Sequence, residues 1–169
     1  MAATDTAAMT VLAPMTADEY QAYAAEAVPA YALEKVAAGQ WSESEAPALA
    51  RKSFDELLPQ GLATPDHHLF TLRESPSGVA VGMLWIAQQQ HGAKRIAYVY
   101  DVSIRPEHRR KGHAARAFRA LEDEVRARGL EGIALHVFGH NHAAQALYAR
   151  LGYRPTNINL FKDLAAAPA

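Results

Sequence analysis

Positive charge and glycine coincide in the stretch IRPEHRRKGHAARAF, which spans residues 104–118. Six of the 17 Lys and Arg residues lie between positions 105 and 119, although the formal net charge of the whole chain is only -1. The Ala-rich residues after Gly112 predict a helix that begins there. Because the first turn of a helix has N–H groups without intrahelical acceptors and carries the positive end of the dipole, this stretch indicates a phosphate-binding site.

Gly112 would let the backbone approach an anion closely and adopt dihedral angles that other residues avoid. The small side chains of Ala114 and Ala115 leave the approach open, and Arg109, Arg110 and Lys111 add charge. Neither standard nucleotide loop, GxxxxGK[ST] or GxGxxG, occurs in the chain. The alternative is a solvated basic turn that only begins a helix, since basic turns are common on protein surfaces.

A second stretch, HNHAAQALYARLGY, spans residues 140–153. Asn141 stands where a helix should begin, and Tyr148 follows two turns later on the same helix face. Each residue alone also has a purely structural explanation, because asparagine is a good N-cap and a tyrosine can pack in a core.

The elements that must position these stretches follow from hydrophobic period and capping signals. Thr16 with Glu19 forms a capping box that predicts a helix from Ala17 to Gly39, with a kink at Pro29. Ser42 with Glu45 forms a second such box and predicts a helix that ends near Leu58. The remaining predicted elements are strands at 9–14, 67–74, 79–90, 95–104, 132–138 and 156–164, and helices at 113–128 and 142–152.

The predicted order is βααβββαβαβ, which indicates an α/β (α+β) fold with a mixed sheet and helices on both faces. The three central strands, joined by the short turns SPSG and HGA, should form an antiparallel meander. Residues 95–138 should form a right-handed β-α-β crossover with parallel strands.

Composition favours a single globular domain over residues 1–169, with tails at 1–8 and 165–169, because 50% of the residues are hydrophobic and 21% are charged. The chain has no cysteine, which excludes disulfides, cysteine metal sites and a thiol nucleophile. It has no apolar run of membrane-spanning length and no signal-peptide pattern, so we expect a cytoplasmic protein without a membrane partner. The basic patch is short and holds one aromatic residue, Phe118, so nucleic acid is not an expected partner.

Together the two stretches resemble the GNAT superfamily of acyl-CoA-dependent N-acetyltransferases, whose loop reads Arg/Gln-x-x-Gly-x-Gly/Ala after a strand ending Val-x-Pro. Here Arg109 to Ala114 match the loop, and Ile104-Arg105-Pro106 match the strand end. The later family segment, Asn-x-x-Ala-x-x-x-Tyr-x-x-x-Gly-Phe/Tyr, is matched by Asn141, Ala144, Tyr148, Gly152 and Tyr153. His113 occupies a loop position that is usually aliphatic. The resemblance covers residues 66–163, and 34–39 and 57–67 are more loosely similar to uncharacterised bacterial members.

The resemblance implies a GNAT fold, a mostly antiparallel sheet with a splayed central pair of parallel strands that hold acetyl-CoA between them. The backbone of Val102, Ser103 and Ile104 would contact the pantetheine and the thioester. The backbone N–H groups from Arg110 to Ala115, which include those of Lys111, Gly112, His113 and Ala114, would bind the pyrophosphate, with Arg109 beginning the loop. Asn141 would contact the pantetheine arm, and Tyr148 would protonate the departing thiolate.

The base that deprotonates the amine is open between two residues. His136 occupies the strand position where several family members have a glutamate, and imidazole titrates near neutral pH. Asp101 on the preceding strand is the rival, and each could instead be a structural residue. Adjacent strand residues such as His67 and His68 point to opposite faces, so no metal site is expected.

The acceptor is an amine that the sequence does not identify, either a small molecule or a peptide or protein. Acidic and aromatic residues of the first helix could bind a cationic amine or belong to the surface and core; they are Tyr20, Tyr23, Glu26, Tyr31 and Glu34. A non-catalytic acyl-CoA-binding or sensor module is the alternative function. Homodimers are common among GNAT proteins, so the oligomeric state stays open, as does the use of acyl groups longer than acetyl.

Overall fold

The computed structural model of the protein describes residues 9–164, so the predicted tails lie outside the described residues. The chain divides into two compact units, the first ending at His136 and the second beginning at Val137. The first unit holds a five-stranded sheet in the order β1-β2-β3-β4-β5. Its strands are β1 (Met9–Pro14), β2 (His67–Ser75), β3 (Ala80–His91), β4 (Lys94–Ile104) and β5 (Ile133–Leu135).

The pairing confirms the predicted topology of this sheet. Strands β1 to β4 pair antiparallel with their neighbours, and β2, β3 and β4 form the expected meander. Strand β5 is parallel to β4, as the crossover rule requires for a β-α-β unit. The fold is therefore the mixed, mostly antiparallel sheet that the sequence pattern indicates.

The helices are α1 (Ala17–Ala37), α2 (Ala46–Leu57) and α3 (His113–Ala127). The first capping box is confirmed, because the Thr16 hydroxyl accepts the Glu19 N–H and the Glu19 carboxylate accepts the Thr16 N–H. The second box is wrong. Ser42 donates to the Glu45 carboxylate within a turn, and α2 begins only at Ala46, where the proline at the next position favours a helix start.

Helices cover both faces of the sheet in the first unit. Residues Leu69, Met83 and Trp85 form a buried cluster with apolar side chains of α1 and α2. Because side chains alternate along a strand, the fully buried Leu84 and Ile86 point to the opposite face. Helix α3 packs against β1 and β4 and buries Ala117, Phe118, Leu121 and Val125.

Parallel pairing between β4 and β5 is short. It joins residues 97–99 to residues 133–135 and ends at Val99 and Leu135. A register shift in the β3–β4 ladder places Trp85 opposite Asp101 and Ile86 opposite Val99, so β4 carries an extra residue at Tyr100. Beyond this bulge β4 continues to Ile104 and, among the described strands, pairs only with β3. The loss of pairing between β4 and β5 is the expected splay of the parallel pair.

The second unit contains α4 (His142–Arg150), close to the predicted helix. The predicted final strand at 156–164 is wrong, because residues 153–163 have no regular secondary structure. A strand is defined by its ladder with a neighbour, and within residues 9–164 no strand pairs with this segment. The predicted strand at 132–138 is likewise reduced to the three residues that find partners on β4.

Gly82 permits the close approach of β3 to the end of β4, so a side chain there should destabilise the fold. A Cβ at this position would lie 2.1 Å from the carbonyl oxygen of Ser103, which cannot move without breaking the ladder. We expect Gly82→Ala to lower the free energy of unfolding by about 1–3 kcal/mol in denaturant titrations, as overpacked cores do. Gly139→Ala is the control, because a Cβ there meets no atom of the described residues within 4 Å. Equal losses in the two variants would contradict the close contact.

Candidate active site

The basic stretch forms a tight turn between β4 and α3. The strand ends at Ile104, residues Pro106–His108 make one 3-10 turn, and α3 begins at His113 with Gly112 as its N-cap residue. Gly112 has φ 81° and Arg110 has φ 63°, so two residues of the turn are left-handed. Only glycine adopts this region at little cost, which explains the glycine directly before the helix.

Several cationic side chains of the turn bind its own carbonyl oxygens. The guanidinium of Arg109 donates to the Ile104 carbonyl at 2.9 Å, and the ammonium of Lys111 donates to the Glu107 carbonyl at 3.0 Å. Both side chains therefore shape the turn and place positive charge beside it. Arg110 is exposed, so its charge faces solvent at the same end of the helix.

The first turn of α3 presents backbone donors. The N–H of Arg116 donates to the Gly112 carbonyl at 3.1 Å and closes the first turn. The N–H groups of His113, Ala114 and Ala115 precede it and have no intrahelical acceptor. Donors, the positive helix dipole and nearby cations are together suited to hold a pyrophosphate.

The end of β4 provides a strand edge next to this turn. Val102, Ser103 and Ile104 pair with Leu84, Met83 and Gly82 of β3. Since the parallel pairing with β5 ends at Val99, the opposite edge of this segment has no strand partner among residues 9–164. A free strand edge can hydrogen-bond an extended ligand through its backbone groups.

Asp101 lies next to this segment and is held by Tyr23 of α1. The Tyr23 hydroxyl donates to Oδ2 of Asp101 at 2.8 Å. Burial raises the pKa of the Asp101 carboxyl, while the hydrogen bonds from Tyr23 and from the backbone of Val102 oppose this rise. Burial and the neighbouring carboxylate also raise the pKa of Tyr23. A carboxylate with a raised pKa accepts protons closer to neutral pH than an exposed aspartate does.

Aromatic rings surround this pair, a feature that the sequence analysis missed. Trp85 stands opposite Asp101 in the ladder and stacks on Tyr100, with ring centroids 4.9 Å apart. Tyr23 packs on Phe54, and His67 accepts a hydrogen bond from the Trp85 indole at 2.9 Å. Burial lowers the pKa of His67. The sequence indicated Asp101 because it is an isolated carboxylate in an otherwise apolar strand. It did not indicate the surrounding rings, because they come from separate elements of the fold.

His136, the other candidate base, follows β5 and is exposed. The structure brings the Asp101 carboxylate and the Tyr23 hydroxyl together. Within residues 9–164, no group of three or more histidine or acidic side chains is arranged so that it could hold a metal ion. No helix in this range is long and apolar enough to cross a membrane.

Asn141 and Tyr148 lie in the second unit. Asn141 is the N-cap of α4, and its side chain accepts the Ala144 N–H at 3.1 Å. The Tyr148 ring lies 5.7 Å from the ring of Tyr153. Burial raises the pKa of Tyr148, so its hydroxyl stays protonated at neutral pH. A protonated hydroxyl is the form that a general acid requires.

Comparison with known proteins agrees with this arrangement of strand, loop and helix. The profile of the Acetyltransferase (GNAT) family matches residues 30–153. The chain belongs to the GNAT acetyltransferase family. The uncharacterized N-acetyltransferase YycN of Bacillus subtilis is 38% identical over 91% of this chain and 98% of its own. YdgE of the same organism, named in the same way, is 31% identical over 90% of this chain and 97% of its own.

A solved structure of YycN matches this fold with a TM-score of 0.84. The match covers 93% of this chain and 99% of that chain at 36% identity. Membership in the GNAT acetyltransferases agrees with the resemblance seen in the sequence. The observed sheet agrees with it as well, because its parallel pair of strands is splayed.

The raised pKa of Asp101 predicts how stability should depend on pH. A carboxyl whose pKa is raised in the folded state stabilises the fold fully at pH values below its unfolded-state pKa, about 3.9. This contribution to stability is lost as the pH rises through the folded-state pKa. Asp101→Asn cannot ionise and keeps an oxygen acceptor for Tyr23. The stability of this variant relative to the parent should therefore increase between about pH 4 and 7, measured by urea denaturation.

Asp123→Asn is the matched control for this measurement, because Asp123 is an exposed carboxylate on α3. The relative stability of that variant should not increase over the same pH range. If the stability of Asp101→Asn relative to the parent stays constant or falls with rising pH, burial does not disfavour the ionised carboxyl.

Proposed function

We propose that the protein is an acetyl-CoA-dependent N-acetyltransferase in which an amine attacks the thioester directly within a ternary complex. Membership in the GNAT acetyltransferases supports acetyl transfer in general. The chain contains no cysteine, so a covalent acyl intermediate on a thiol is excluded. The acceptor is an amine, carried by a small molecule, a peptide or a protein.

The observation that carries this proposal is the turn from Arg109 to Ala115. It combines a left-handed Gly112, three N–H groups without intrahelical acceptors and a concentration of cations at one helix end. These features fit the pyrophosphate of acetyl-CoA. Val102, Ser103 and Ile104 at the free edge of β4 would hydrogen-bond the pantetheine and orient the thioester carbonyl.

We further propose Asn141 as a contact for the pantetheine arm and Tyr148 as the acid that protonates the departing thiolate. Asp101 and His136 remain the two candidate bases. Asp101 has the support of its raised pKa and of the Tyr23 hydroxyl that orients it. His136 has the support of its exposed position directly after β5.

Thiol release from acetyl-CoA, followed with a chromogenic disulfide, tests the activity against amines, polyamines, aminoglycosides and short peptides. The protein has no thiol of its own, so it adds no background. We expect release with one acceptor class. Gly112→Val should weaken acetyl-CoA binding by more than about tenfold, since a β-branched residue cannot adopt φ 81° without strain.

Gly92→Val is the matched control for this variant. Gly92 also has a positive φ, 62°, but it lies in the turn between β3 and β4, away from the loop. Unchanged acetyl-CoA affinity in Gly112→Val would refute the pyrophosphate assignment. Acetyl-CoA binding without turnover on any acceptor would favour the non-catalytic sensor module instead.

Tyr148→Phe should lower turnover by about a hundredfold, because a general acid contributes at least this factor. The dissociation constant of acetyl-CoA should change by less than about twofold, since the ring remains. Tyr153→Phe is the control, because this tyrosine packs against Tyr148 in the same unit. Steady-state kinetics with isothermal titration decide the matter, and normal turnover in Tyr148→Phe would assign the proton to another donor.

A further inference from the structure

His113 is a buried polar residue in the first turn of α3, at a loop position where an aliphatic side chain would suffice for packing. Its exposed fraction is 2%, and it is among the largest fully buried side chains of the described chain. A buried imidazole is costly unless its ring nitrogens find partners. The contacts of His113 therefore indicate what the side chain does.

Nδ1 of His113 lies in a compact cluster that joins α3 to β1. It is 3.0 Å from the hydroxyl oxygen of Thr10 and 3.1 Å from a guanidinium nitrogen of Arg116. The guanidinium also donates to the Thr10 hydroxyl oxygen at 3.2 Å and to the Lys111 carbonyl at 2.9 Å. Arg116 thus spans from β1 to the loop carbonyl directly before Gly112.

These contacts determine the protonation state of the ring. Arg116 has donors only, so Nδ1 must accept its hydrogen bond, and the ring proton lies on Nε2. Nε2 is buried without a hydrogen-bond partner among the described residues, and the Glu74 carboxylate is 3.8 Å away. A proton on Nδ1 would point at the guanidinium, which has donors only, so the hydrogen bond between Arg116 and His113 would be lost.

We propose that Thr10, His113 and Arg116 form a clamp that positions the loop backbone for the pyrophosphate, and that the clamp holds only while His113 is neutral. This inference rests on the proposed function for the ligand but not for the clamp itself. His113 and Thr10 are positioning residues, because they act through the Lys111–Gly112 backbone. Loss of the clamp would free the first turn of α3 from β1.

The charged groups around His113 set the direction of its pH response. Burial lowers the pKa of His113, the Arg116, His108 and Lys111 charges lower it further, and the Glu74 carboxylate opposes them. A histidine with a lowered folded-state pKa contributes stability that is present above the unfolded pKa, about 6.5, and is lost as pH falls through the folded value. Loop order and ligand affinity should therefore decrease on acidification.

Three variants separate the clamp from packing alone. Thr10→Val removes the hydroxyl with little change of shape. His113→Leu keeps the approximate volume but removes the acceptor, whereas His113→Asn keeps an oxygen near the Nδ1 position and cannot titrate. Arg116 variants are less informative, because they also remove a charge from the ligand site.

His68→Leu is the matched control. His68 is a partly buried histidine near the other end of α3, where Nε2 lies 2.8 Å from the guanidinium of Arg128. Burial lowers the pKa of His68 as well. It resembles His113 in chemistry but has no part in the loop.

Binding is measured with the acetyl thioester of 3′-dephospho-CoA, because the 3′-phosphate of CoA would itself titrate near pH 6. At pH 7.5 we expect Thr10→Val and His113→Leu to bind about fivefold to tenfold more weakly than the parent, the loss expected for a net hydrogen bond. His68→Leu should stay within about twofold, and His113→Asn should recover most of the affinity that His113→Leu loses. Between pH 7.5 and 5.5 the parent and His68→Leu should lose affinity, and His113→Asn should lose less.

Hydrogen exchange of the ligand-free protein supplies a measurement that does not depend on acetyl-CoA. The amides of Arg116 and Ala117, which close the first turn, should exchange about tenfold faster in Thr10→Val and His113→Leu than in His68→Leu. Exchange at the control rate in both variants would overturn the clamp. An equal acid loss of affinity in His113→Asn would assign the titration to another group and overturn the neutral-His113 requirement.

The two proposals fail in different ways. If the parent binds neither acetyl-CoA nor its 3′-dephospho analogue at any pH, the proposed function is wrong, and the exchange rates still decide whether the clamp exists. If the parent binds these thioesters and exchange in Thr10→Val and His113→Leu is that of the control, the clamp is wrong and the acetyltransferase proposal stands.

Discussion

Beyond Val99, β4 pairs with β3 alone among the strands of residues 9–164. Its end, from Val102 to Ile104, is held by the β3 ladder, while parallel pairing with β5 stops at Leu135. The absence of a side chain at Gly82 allows this ladder to close, since a Cβ would collide with the Ser103 carbonyl. The free strand edge, the basic turn that follows and the start of α3 all take their positions from this one-sided pairing.

The bulge at Tyr100 connects this constraint to the aromatic face. By adding one residue to β4, it places Asp101 opposite Trp85 and near the hydroxyl of Tyr23 on α1. The carboxyl is thereby removed from water on the face that α1 and α2 cover, and its pKa rises. Strand β4 thus carries a backbone edge that a ligand can hydrogen-bond and, within a few residues of this edge, a carboxylate with a raised pKa.

The loop illustrates how a phosphate-binding helix start is held in place. Left-handed conformations at Arg110 and Gly112 expose the N–H groups, and the side chains of Arg109 and Lys111 tie the turn to its own carbonyls. Arg116 and His113 extend this support to β1 through Thr10. Cations in such a turn therefore have two physical effects, since they provide charge for an anion and fix the backbone that binds it.

Local chemistry in the sequence by itself determined the meander, the capping box at Thr16, the extents of α3 and α4, and the glycine that begins α3, because each signal lies within a few neighbouring residues. The candidate loop and Asn141 with Tyr148 were predicted for the same reason. Only the tertiary structure decided that β5 has three residues and that 153–163 forms no strand, since a strand exists only where a partner offers its backbone. The contacts of Asp101 with Tyr23 and of His113 with Thr10 join residues 78 and 103 positions apart, and no local pattern encodes such a meeting.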